Sequence, residues 1–165
     1  MLTVSALLLV DHTLVDEFGN AHACGVMDTF TVQAQVDAEA SASADDPALV
    51  AALVRRAAGD HERGGEVFVY WQIPPDEQGE AWLGRLEVEH EDGWRKELVT
   101  ERIATEHRNA KWFVKLGRLP LISSGEHRFH AYARPASATG ADWGAPLATF
   151  YVLVRALVEH TSATR

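Results

Sequence analysis

The chain has 165 residues, 47% of them hydrophobic and 24% charged, and a domain of this length buries about two-thirds of its unfolded surface, enough for one core. Fifteen basic residues against 24 acidic give a net charge of −9, a field that opposes phosphate backbones and anionic lipid, so neither nucleic acid nor membrane is expected as a partner. One cysteine, Cys24, cannot form an intrachain disulfide.

In chain order, the first pattern is "MLTVSALLLVDH". It is apolar from Ala6 to Val10, with no basic flank and with Asp11 following at once. That is too short for a signal peptide or a membrane span, so a cytoplasmic protein is expected. Its period is two, as is that of Phe30 to Val36, where Phe30, Val32, Ala34 and Val36 alternate with Thr and Gln. Between them lies "VDEFGNAHACGV", which reads as a hairpin turning at Gly19-Asn20. That turn sets Val15 opposite Cys24 and leaves His12 about 10 Å further along the strand, too far for His12, His22 and Cys24 to share a metal.

"DAEASASADD" (Asp37 to Asp46) is small, polar and acidic, and reads as a loop. Asp46 as N-cap, Pro47 at the first helical position and Gly59 past the end then predict an α-helix near residues 47–58, with Leu49, Val50, Leu53, Val54 and Ala57 on one stripe. "EVFVYWQI" is β-branched and aromatic and stops at Pro74-Pro75. Trp82, Leu86 and Val88 alternate with Arg85, Glu87 and Glu89 before a turn at Asp92-Gly93. Strands are further predicted at Glu97 to Ile103, at Phe113 to Leu116, and over "EHRFHAYAR" and "ATFYVLVRAL". Eight or nine short strands separated by turns predict a mainly β, single-domain antiparallel β-sandwich, immunoglobulin-like or jelly-roll, over residues 1–158, with a flexible tail at 159–165.

Candidate sites follow from the parity of these strands. Along "EHRFHAYAR", His127, Phe129, Ala131 and Ala133 point one way and Arg128, His130, Tyr132 and Arg134 the other, so His127 and His130 cannot jointly hold a metal. Glu87, Glu89 and Glu91 share one strand face and read as solvated. "LISSGEH" places Ser123 and Ser124 before Gly125 without the flanking glycines of a nucleophile elbow, although a Ser-His-Asp set can hide in any sequence. No HExxH, paired C-x-x-C, GxGxxG or phosphate loop occurs. Of the five tryptophans, Trp71 and Trp82 read as core, while Trp94 after a turn and Trp143 in "SATGADWGAP" are the candidates for an exposed contact.

Three stretches, "ALLLVDHTLVDEFGNAHACGVMDTF", "GEAWLGRLEVEHEDG" and "LGRLPLISSGEHRFHAYA", resemble a family of uncharacterised bacterial β-sandwich proteins over about two-thirds of the chain. Gly25-Val26-Met27-Asp28 and Leu119 to Phe129 carry the likeness, and Asp37 to Gly59 departs from it. The resemblance implies a fold and no activity.

The function expected from these readings is protein binding or self-association as a homodimer, without catalysis and without a cofactor. The alternative is a small-ligand or carbohydrate-binding module using Trp94, Trp143 and His130. A cupin-like metal enzyme using His127 and His130 is a third reading, opposed by the parity of the strand.

Overall fold

In a computed structural model of the chain, the structure describes residues 1–17, 21–36, 52, 64–140 and 142–160, with only the backbone described for 32–36 and 156–160. The helix expected near 47–58 lies, but for residue 52, outside the described residues, as does the loop before it. Among the described residues there are nine strands. They are β1 (Thr3–Val15), β2 (Ala21–Val26), β3 (Thr29–Val36), β4 (Gly65–Gln72), β5 (Trp82–His90), β6 (Arg95–Ile103), β7 (Asn109–Leu116), β8 (Gly125–Pro135) and β9 (Ala148–His160). The last reaches into the expected tail, whose residues 161–165 lie outside the description.

Two sheets form, one in the order β2-β1-β4-β7 and one in the order β3-β9-β8-β5-β6. The alternation read from the sequence sends Leu7, Leu9, Val67, Val69 and Trp71 from the first sheet, and Leu86, Val88, Phe129, Val152 and Val154 from the second, into one core. The protein is thus mainly β, with two sheets sharing an interior as in a β-sandwich. Trp71 and Trp112 meet edge-on at 5.2 Å within it, so Trp71 is core as expected. Pro74-Pro75 ends β4 and opens a short 3-10 turn at Pro75–Glu77.

Two expectations are corrected. The sandwich is not wholly antiparallel: β3 pairs β9 in parallel, Thr29 beside Leu153 through Val36 beside His160. Met27 and Asp28 alone join β2 in one sheet to β3 in the other, and the chain that crosses there runs in the same direction as the last strand. The β1–β2 ladder also differs. It pairs Val15 with Ala21, Leu14 with His22 and His12 with Cys24. Val15 thus faces Ala21 rather than the expected Cys24, while the turn expected at Gly19-Asn20 lies outside the described residues.

Candidate functional site

The corrected register sets His12 directly across from Cys24, with His22 on the same face two residues on. Each histidine is nonetheless engaged by its own carboxylate, His12 by Asp11 at 3.4 Å and His22 by Asp16 at 3.3 Å. Among the described residues no group of three or more His, Cys, Asp or Glu is placed to hold a metal ion. What this arm does expose is apolar. Leu14 is 55% exposed, Val15 58% and Val26 51%, all in the β1–β2 ladder.

The outer face of the five-stranded sheet is a polar network rather than the solvated row of carboxylates expected. Glu87 is only 4% exposed. Arg85 on its own strand pairs with it, and Arg95 on β6 reaches Glu87 at 3.7 Å and Glu89 at 3.0 Å. Glu89 lies 3.2 Å from His130 Nε2, and Thr149 lies 2.9 Å from His130 Nδ1. Burial pushes His130 below the ordinary histidine range despite Glu89. The neutral ring therefore donates from Nε2 to Glu89 and accepts from the Thr149 hydroxyl at Nδ1. For Glu89 burial acts upward, but the bonds from Arg95 and His130 outweigh it and hold the carboxyl below its usual range.

Beside this network the Arg85 guanidinium lies 5.7 Å from the ring centres of both Tyr132 and Trp143, and Arg134 lies 4.5 Å over Trp143. Trp143 is therefore half-buried on two cations and holds its loop to the sheet. Trp94 is half-buried too, but packs against the hydrophobic core. The structure thus brings His130 and Trp143 to one face of the sheet and sends Trp94 elsewhere, so the three do not form one site. Neither tryptophan is the open platform expected of it. Trp82 borders a concavity of about 330 Å³, which it lines with Arg102, Ile103 and Thr105.

A second cluster lies where β5 turns into β6 and where the segment after β7 enters β8. His90 ends β5 with its ring buried, because its parity points inward with Leu86 and Val88. The turn that follows places Asp92 Oδ1 2.9 Å from His90 Nδ1, and the same oxygen accepts the Trp94 amide at 2.9 Å. From the other side Ser123 Oγ stands 2.9 Å from His90 Nε2, and the Ser124 carbonyl 3.0 Å from the same nitrogen.

His127 stacks on this ring with centres 4.6 Å apart and is fully buried. It accepts the Ile122 amide at Nε2, 3.2 Å away. Burial, helped by His90, brings His127 down to about 4. Below the pair, a Cβ on Gly125 would stand 2.3 Å from the Glu91 carboxylate, and Gly125 has φ of +114°, so only glycine fits between the turn and β8. His127 faces inward and His130 outward, as their parity required. The Ser123–His90–Asp92 contact was not legible, since 33 residues separate the serine from the histidine.

The chain matches no protein-family model and no curated protein. Among the described residues no helix is long and apolar enough to cross a membrane.

Proposed function

We propose that this protein works by binding, and that its first partner is a second copy of itself, joined through the β2 edge. The observation that carries the reading is the exposed apolar surface of the β1–β2 arm, Val26 together with the neighbours Leu14 and Val15, which point to opposite faces of it. Edge strands invite pairing unless charge guards them. The β6 edge, "RKELVTERI", and the β7 edge, with Lys111 and Lys115, are charged along their length. Two edges carry no Lys, Arg, Asp or Glu, β2, "AHACGV", and β3, "TFTVQAQV", and β2 is the one in the ladder that exposes Leu14, Val15 and Val26.

Full burial of a side chain of this kind contributes about 1.5–3 kcal/mol. Each of the three is about half covered already and one face of the arm carries at most two of them, so four across a two-fold contact offer roughly 3–6 kcal/mol, against about 4–15 kcal/mol lost on association. Backbone bonds between paired edges add to this, and a weak dimer with Kd of about micromolar or above is the expectation. Sedimentation velocity across a hundredfold concentration range tests it. The native protein should move from monomer toward dimer while Leu14→Asp stays monomeric; a monomer at every concentration would refute the proposal.

An immunoglobulin-like or jelly-roll topology in a bacterial, cytoplasmic protein is part of the same reading, and the two-sheet architecture supports the topology alone. A second reading, binding of a small ligand, is favoured by the concavity at Trp82 rather than by Trp94, Trp143 and His130. A saccharide panel that quenches native fluorescence but not that of Trp82→Phe would support it.

A further inference from the structure

We propose that Ser123 is an activated nucleophile, with His90 as its base and Asp92 as the positioning residue, able to take an acyl group from an ester or thioester donor. This goes beyond the binding reading and does not depend on it. Ser123 Oγ to His90 Nε2 is 2.9 Å and His90 Nδ1 to Asp92 Oδ1 is 2.9 Å, a chain of hydroxyl, imidazole and carboxylate.

The tautomer decides whether such a chain can work. Two acceptors bracket the ring, the Asp92 carboxylate 2.9 Å from Nδ1 and the Ser124 carbonyl 3.0 Å from Nε2, and one donor, the Asp92 amide, lies further off at 3.3 Å from Nδ1. A lone pair on Nδ1 facing a carboxylate is the costlier arrangement, because the carboxylate carries a full charge and the carbonyl a partial one. The carboxylate, nearer than the amide and fully charged, outweighs it, so the ring proton sits on Nδ1, toward Asp92. Nε2 is left to accept the Ser123 hydroxyl, the orientation a base must have.

The Ser124 carbonyl then has a second use. Once the serine proton has passed to Nε2, that N–H finds an acceptor already 3.0 Å away, which stabilises the imidazolium as it forms. The ring is buried, whereas Ser123 is half exposed and Ser124 and Asp92 are exposed. The nucleophile is thus accessible while its base is shielded, on an open turn that suits a small or extended acyl donor. In the step, Ser123 Oγ bonds to the acyl carbon and its proton moves to His90 Nε2. The bond to the alcohol or thiol breaks, and that leaving group departs with the proton from Nε2.

The test is labelling of the full chain by an alkyl fluorophosphonate, in which the O–P bond forms as fluoride leaves, read by intact mass and peptide mapping. One adduct on Ser123 is expected, absent in Ser123→Ala. Asp92→Asn keeps an oxygen for the Trp94 amide and should fold with an unchanged melting temperature, yet label at least tenfold more slowly. It should also lose a downfield imidazole N–H proton resonance that the native protein shows. His90→Gln should abolish labelling. No adduct above that of the urea-unfolded chain overturns the proposal, as does equal labelling of native protein and Asp92→Asn.

Discussion

Gly84 sits in the middle of β5 facing the other sheet, and replacing it probes how closely the two sheets pack. A Cβ built there falls 2.3 Å from Cη2 and 2.8 Å from Cζ2 of Trp112 on β7, and 3.1 Å from Ile103 Cδ1. Carbon atoms rest about 3.5–4.0 Å apart, so the indole must retreat by more than an ångström. It is buried and lies edge-on against the fully buried Trp71, which leaves it little room to do so. Overpacking of this kind costs about 1–3 kcal/mol, and the smaller unfolded-state entropy of alanine returns about 0.4–1 kcal/mol.

Gly84→Ala should therefore lose about 1–2 kcal/mol, read as a lower urea midpoint at unchanged slope, with a melting temperature roughly 2–8 °C lower. Trp112→Phe trims the offending ring, so the double variant should be less destabilised than the sum of the singles by more than about 0.5 kcal/mol. A Gly84→Ala protein as stable as the native one, with additive singles, would refute the close approach of Gly84 to Trp112.

His127 gives a pH-dependent expectation. Its folded value of about 4 lies below the ordinary value of 6.5, so between these the unfolded chain binds the extra proton. Stability that is full above pH 6.5 should fall as the pH drops toward 4, by up to about 1.4 kcal/mol per unit. His127→Gln should flatten that slope in urea titrations; an unchanged slope would contradict the burial of this ring. Arg85→Ala strips Glu87 of its nearest cation and leaves a buried carboxylate leaning on Arg95 alone, so a loss of about 3 kcal/mol is expected in the same assay. A loss below 0.5 kcal/mol would mean that Glu87 is solvated after all.

Much of the architecture was legible because burial in a sheet has a period of two. His127, Phe129 and Ala131 turn inward as their alternation requires, and the Asp92-Gly93 turn joins β5 to β6. Alternation along a strand says nothing of how far two strands slide past one another, so the pairing of His12 with Cys24 had to come from the three-dimensional structure. Nor does it identify a distant neighbour. The parallel pairing of β3 with β9 joins residues more than a hundred positions apart.

The same limit governs the sites. His130 and Glu87 occupy outward positions that a strand pattern assigns to water, yet they are buried, because Thr149, Arg95 and Arg85 close over them from β9, β6 and the same strand. Trp143 reads as exposed from a glycine- and alanine-rich loop, and Arg85 and Arg134 bring it down onto the sheet. Ser123, His90 and Asp92 meet only because β5 and β8 are neighbours, a fact of topology rather than of spacing.

Hydrogen exchange of the β2 amides at low and at high protein concentration tests self-association through that edge most directly. Protection across Ala21–Val26 should rise with concentration in the native protein and not in Leu14→Asp, while the β6 edge stays the same. Equal exchange of β2 at both concentrations would contradict it.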